Sequence, residues 1–240
     1  VVFDKDMTKI ILYPKGKSGS YTIPSSVICI LPELFSGCAG LTNIVIPNSV
    51  TEINMRAFSD CTSLTAVTIP DSVTEIGRAA FEGCTSLISV EIPSSVSGIQ
   101  VATFRNCTSL GSVTIPDSVT SIGPGAFDGC TSLDSVTISD SVTGIGYEAF
   151  YNCSKLKNVK LPSKISEIDD NVFSGCETLE KVEIPDGVTA IKRGAFDGCT
   201  SLTSVTIPDS VTHIGYYAFS DCSKLKNVKL PSKISEIDHN

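Results

Sequence analysis

Nine cysteines recur at every twenty-third position: Cys38, Cys61, Cys84, Cys107, Cys130, Cys153, Cys176, Cys199 and Cys222. A phenylalanine stands three places before each, from Phe35 to Phe219, and a leucine three places after each, from Leu41 to Leu225. A strict period of 20–50 residues means one small supersecondary unit stacked many times. A chain built this way is a solenoid, one elongated domain in which each unit contacts only its neighbours.

Counted from the proline column, nine full units follow one another from Pro24 to Leu230, with Ser139 replacing proline in one. A tenth starts at Pro231 and stops at Asn240, in mid-repeat. In the unit Pro70–Ile92 the apolar positions are Val73, Ile76, Ala80, Phe81, Cys84, Leu87, Val90 and Ile92. Val90 and Ile92 alternate with polar neighbours, the period of a strand. Val73 and Ile76 mark a second short extended piece, after which Gly77 breaks the chain. Ala80-Phe81-x-x-Cys84 reads as one helical or 3-10 turn, because residues three apart share a helix face. Pro70 lacks an amide proton and belongs where the strand ends. One unit has too few apolar side chains to repay its own ordering entropy, so a lone repeat should be unfolded.

The ends differ from the middle. Residues 1–23 lack the Phe, Cys and Leu markers; Val1-Val2-Phe3 and Ile10-Ile11-Leu12-Tyr13 flank Asp4-Lys5-Asp6 and read as a capping hairpin. A polar loop from Pro14 to Ser20 leads into Tyr21-Thr22-Ile23. The domain reading is therefore a cap and lead-in over 1–23 and a solenoid over 24–240. At the far end Ile234 and Ile237 occupy core positions with no Phe, Cys or Leu to follow, an open edge that invites self-association. The chain is expected to continue past Asn240, and Val1, not being an initiator methionine, suggests an excised or processed segment. Cys153–Asp169 and Cys222–Asp238 are identical and stand three units apart. Internal duplication at that scale suits a display surface better than a catalytic site.

With 41% hydrophobic and 18% charged residues, the composition is that of a folded soluble domain. A net charge of −8 argues against nucleic acid and against docking on an anionic membrane. No apolar run approaches the ~20 residues needed to span a bilayer, and no signal peptide opens the chain.

Leu110 to Cys130 carries every element of Leu-x-x-Val-x-Ile-Pro-Asp-Ser-Val-x-x-Ile-Gly-x-x-Ala-Phe-x-x-Cys. This motif resembles the 23-residue leucine-rich repeat of BspA-type bacterial surface proteins. The resemblance covers 24–240, and the stretch from Tyr13-Pro14 to Pro24 is similar to the lead-in of such proteins. It implies an α/β, right-handed leucine-rich-repeat solenoid: a ladder of short parallel strands joined by short helical or 3-10 turns. It also implies export, cell-surface display and adhesion to host proteins or other cells. It brings no catalytic residue and no cofactor. Similar repeats occur in some eukaryotic parasites.

The cysteine column admits disulfides, zinc, or a reduced buried ladder. Neighbouring units lie ~4.7–4.9 Å apart, near the loose Cα limit for a bridge, but stacking points the Cβ atoms in parallel rather than ~3.8 Å apart. Zinc needs converging ligands, usually close pairs such as C-x₂-C, and none are present. A reduced, buried ladder is the favoured reading. Cys29 lies outside the column, where other units have Glu52 or Glu75; exposure and partial burial are both open.

The outward residues of the strand face are mostly small and polar, such as Ser112 and Thr114. Two units depart from this, with Lys157, Asn158 and Lys160 followed by Glu180, Lys181 and Glu183; Lys226, Asn227 and Lys229 repeat the basic half. They form a candidate binding patch, or structural cross-strand opposites, Lys157 over Glu180 and Lys160 over Glu183, that need no ligand. Tyr147, Tyr151, Tyr216 and Tyr217 around the Gly-to-Phe turns are either contact residues or packing over apolar neighbours. His213 and His239 sit in no recognisable triad or metal motif. The column Asp71, Asp117, Asp140, Asp186 and Asp209 offers one carboxylate per turn, more a turn former than a calcium site. Asn106-Cys107-Thr108 and Asn152-Cys153-Ser154 match the glycosylation sequon but overlap the cysteine turn. The expected function is non-enzymatic binding of an extracellular protein or glycan through a broad face; a spacer or a targeting module of a larger enzyme are the alternatives.

Overall fold

The alternation along each Val-x-Ile segment dictates a strand with one dry face. Ser112–Ile115 exposes Ser112 and Thr114 and buries Val113 and Ile115. Stacking repeats that segment into a nine-stranded sheet running in chain order from Gly19–Thr22 to Ser204–Thr206. All its pairings are parallel. Val113 faces Val136 across the ladder, as Ile44 faces Val67 and Val182 faces Val205. The structure, a computed structural model, describes residues 1–226, 228–232 and 234–238.

A second column of two-residue strands forms where Val-x-x-Ile was expected to be extended. It falls into three short sheets, Cys29–Ile30 to Glu75–Ile76, Gly98–Ile99 to Gly144–Ile145, and Glu167–Ile168 to Glu236–Ile237. The register advances by one full repeat here too, as in Ile122 against Ile145. The architecture is a parallel-strand solenoid of about nine turns.

The Phe–Cys segment departs from expectation. Among the described residues no helix, α or 3-10, is present, and this segment is a run of turns. Two residues four apart take left-handed backbone in each repeat, for example Arg56 (φ 54°) and Asp60 (φ 58°), or Gly125 (φ 58°) and Gly129 (φ 71°). Alternate amides then point in different directions. The N–H groups of Arg56, Phe58 and Asp60 donate to Arg78, Ala80 and Glu82 in the next turn, at 2.9, 2.8 and 2.7 Å. Those of Ala57, Ser59 and Cys61 close three-residue turns within their own unit. A helix would have spent all these amides locally, whereas the alternating backbone turns half of them into a third inter-repeat ladder. The left-handed conformation costs a side-chain-bearing residue about 1–2 kcal/mol, which the added ladder bonds offset.

Beneath the ladders lie the invariant columns. Successive phenylalanine rings stack with centroids 5.1–5.6 Å apart and planes within 12° of parallel. The column cysteines are free thiols and buried. They do more than fill space: each from Cys61 to Cys222 donates its S–H to the phenylalanine carbonyl of the preceding unit, at 3.1–3.3 Å. At the N-terminus Val2–Phe3 pairs antiparallel with Ile10–Leu12. Ile10 and Tyr13 are buried, and the Tyr13 ring lies 4.8 Å from Phe35, extending the ring column.

Candidate functional site

Strand pleating aims every second ladder residue at solvent. Lys157, Asn158, Lys160, Glu180, Lys181, Glu183, Lys226 and Lys229 are all exposed. Asn227 and His239 lie outside the described residues. Asn158 and Lys181 are register partners, and the Glu180 N–H donates to the Lys157 carbonyl at 3.1 Å, so the two charged units are direct neighbours. Their side chains do not pair as the stacking suggested. Among the described residues, neither Lys157 with Glu180 nor Lys160 with Glu183 closes to an ion pair. Lys160 instead leans back toward the preceding unit, with Nζ 3.9 Å from Asp140 Oδ2. Asp140 attracts it because its carboxyl is already fixed: the Ser163 N–H donates to Oδ1 at 2.9 Å. That bond, and then Lys160, hold the Asp140 carboxyl below its ordinary pKa. A groove of about 570 Å³ opens beside these residues, and Asn158, Lys160, Lys181, Glu183, Asp140 and Asp186 are among its lining.

Two members of the aspartate column serve the stack. Asp140 and Asp209 accept the backbone N–H of Ser163 and Ser232 in the following turn, each at 2.9 Å. Asn106 and Asn152 are exposed although the cysteines beside them are buried.

The tyrosines belong to two units, Tyr147 and Tyr151 to one and Tyr216 and Tyr217 to the other. Tyr147 and Tyr216 are both exposed and occupy the same place in units three turns apart. Ring spacings of 5.6, 5.5 and 5.3 Å separate the phenylalanines of those units. Tyr151 is half-buried beside Tyr147, and Tyr217 is exposed on left-handed backbone (φ 59°). Tyr147 reaches a second groove, about 460 Å³, on the turn face, whose charged lining includes Arg56, Arg78 and Arg105. Sequence reasoning passes over these arginines because no motif joins them. The usable signal is a variable column: Met55, Arg78, Val101, Pro124, Tyr147, Asp170, Arg193 and Tyr216 differ from unit to unit while the core columns do not.

Among the described residues one trio of metal-competent side chains comes together: His213, Glu236 and Asp238. The imidazole Nδ1 faces Glu236 Oε2 at 3.3 Å while Nε2 faces Asp238 Oδ2 at 3.8 Å. Opposite edges of one ring thus serve two carboxylates, and one ligand atom from each of the three residues lies within 4.8 Å of the others. The identical carboxylate pair three units earlier is held instead by one nitrogen from the following unit, with Lys192 Nζ 2.9 Å from Glu167 and 3.2 Å from Asp169. No helix of the described residues is long and apolar enough to cross a membrane.

The BspA type leucine-rich repeat region matches residues 12–134 and 120–240, in six copies. Among solved structures, the chain is similar to a leucine-rich cell surface protein of Faecalibacterium prausnitzii, at 34% identity and a TM-score of 0.61 over 88% of this chain. The match spans 59% of that protein's length. A leucine-rich repeat protein of Bacteroides ovatus matches at 29% identity and a TM-score of 0.66, over 91% of this chain and 68% of its own. The leucine-rich repeat protein of T. pallidum matches at 30% identity and a TM-score of 0.57, covering 78% of each chain. No curated protein sequence matches the chain.

Proposed function

We propose that this chain, which belongs to the BspA-type leucine-rich repeat family, is a non-enzymatic binding module at a bacterial cell surface. It holds an extracellular protein or glycan against its strand face and so serves adhesion. The observation that carries this reading is the uninterrupted nine-stranded ladder, whose outward side chains stand in one continuous, solvated array. Small hydroxyl residues dominate that array, and the Lys157–Glu183 patch with its groove is a charged departure from it. Such a face binds by many modest polar contacts, multiplied by repeat number and by display in many copies. Support for surface display comes from the family and from the likeness to a protein described as a cell surface protein. The test is binding of the soluble chain to an array of extracellular-matrix proteins and glycans at low and high salt. Adhesion through this patch gives a salt-sensitive hit weakened by Lys157→Ala and Lys160→Ala. Silence across the array from correctly folded protein would leave a spacer as the better account.

A further inference from the structure

Between Lys17 and Lys155 the chain contains no lysine and no histidine; its only cations there are Arg56, Arg78 and Arg105. All three line the groove on the turn face. They arrive from three successive turns, each from a different column of the turn segment, so no single repeated motif places them. The sole remaining arginine, Arg193, stands in the Arg78 column five units away.

Two of the three are committed within the protein. Arg56 lies 3.4 Å from Glu82, and Arg105 Nε lies 2.8 Å from Asp128 Oδ2. Asp128 is itself buried, and its raised pKa, driven by that burial and only partly offset by Arg105, marks a groove wall withdrawn from water. Arg78 is exposed and has no ion-pair partner among the described residues. Its guanidinium is a planar fork suited to a carboxylate. In the same column of the groove lining, Met55 and Val101 stand in the turns on either side of Arg78, with Pro124 and Tyr147 farther along. Arginine and tyrosine beside apolar surface are the residue types that dominate binding energy at protein interfaces.

We propose that this groove binds a protein segment carrying one acidic side chain flanked by apolar ones, the carboxylate seated on Arg78 and the apolar groups against Met55 and Val101 in the turns on either side. The charge count selects this occupant. Glu82, Asp128 and Glu148 line the same groove as the three arginines, so it has one open cationic position rather than a basic field. A densely charged polyanion would meet those carboxylates and the chain's net charge of −8. The groove is on the turn face and shares no residue with the strand-face groove, so either reading can fail without the other.

The test is an NMR titration of the intact chain, observing arginine side-chain N–H signals. The probes are a capped peptide with a single glutamate between leucines, its glutamine counterpart, and a sulfated oligosaccharide. The glutamate peptide should shift Arg78, and binding should weaken about tenfold for the glutamine peptide and for Arg78→Ala. Arg193→Ala should bind as the parent does. The proposal is overturned if Arg78 does not shift, if both peptides bind alike, if Arg193→Ala loses as much as Arg78→Ala, or if the oligosaccharide occupies Arg78 more tightly than the peptide.

Discussion

Mild alkali should unfold this solenoid far more readily than an ordinary domain of its size. Seven interior column thiols, Cys61, Cys84, Cys107, Cys130, Cys153, Cys176 and Cys199, have no solvent exposure. Burial pushes the Cys61 thiol up to about 12 and the other six upward as well, because a thiolate there would lose its water. In the unfolded chain a thiol ionises near about 8.5. The folded state therefore keeps protons that the unfolded state releases. Stability from these thiols is complete below about pH 8.5 and is lost as pH climbs toward the folded values. At about pH 9.5 each thiol has cost about 1.4 kcal/mol, and seven together about 10 kcal/mol. With a urea dependence of about 3 kcal/mol per molar, the midpoint should fall by about 3 M between about pH 7 and pH 9.5. The assay is urea unfolding followed by circular dichroism, under reducing conditions. Cys107→Ser removes one titrating group but keeps a donor for the Phe81 carbonyl, now 3.2 Å from Sγ. It should shrink the alkaline loss by about 1.4 kcal/mol. A midpoint that does not move with pH, or thiolate absorbance from the folded protein at about pH 9.5, would refute the reasoning.

Three further outcomes are expected. Phe104→Ala opens the ring column between neighbours 5.6 and 5.4 Å away and should destabilise the chain by about 3–5 kcal/mol in urea titrations. Native alkylation at neutral pH, read by mass spectrometry, should label Cys29, the half-buried thiol outside the column, and spare Cys61 to Cys199 until denaturant is added. Gly123→Ala would place a Cβ 2.8 Å from the backbone of Gln100 and Val101, which cannot swing aside. It should cost about 1–3 kcal/mol, whereas alanine at Gly144, where nothing lies within 4 Å, should be tolerated; urea midpoints of the two variants check this.

Much of the fold is legible because each column needs one physical property. Phe, Cys and Leu at one fixed step announce a stack, and Val-x-Ile announces its ladder strand. The Phe–Cys segment reads as helical when spacing alone is weighed. A contrary signal lies in the chain: Gly37, Asp60, Gly83, Asn106, Gly129, Asn152, Gly175, Gly198 and Asp221 form one column of only glycine, asparagine and aspartate. These residue types tolerate left-handed backbone, and all nine have φ between 54° and 74°. The binding faces are less legible. Stacking alone sets Lys160 over Glu183, yet it meets Asp140, because a backbone amide from the next turn has already positioned that carboxylate.

The sequence by itself determined the unit, its length, its buried columns and the parallel stacking, since these follow from local alternation and from apolar groups too few to fold alone. Only the tertiary structure decided where the remaining polar groups spend their bonds. Whether an amide closes its own turn or reaches the next unit, and whether a thiol merely fills space or donates to a carbonyl, depends on atoms a full repeat or more away along the chain. The same holds for the arginine groove. Arg56, Arg78 and Arg105 are separated along the chain and share no spacing rule, and they meet because stacking places successive turns side by side.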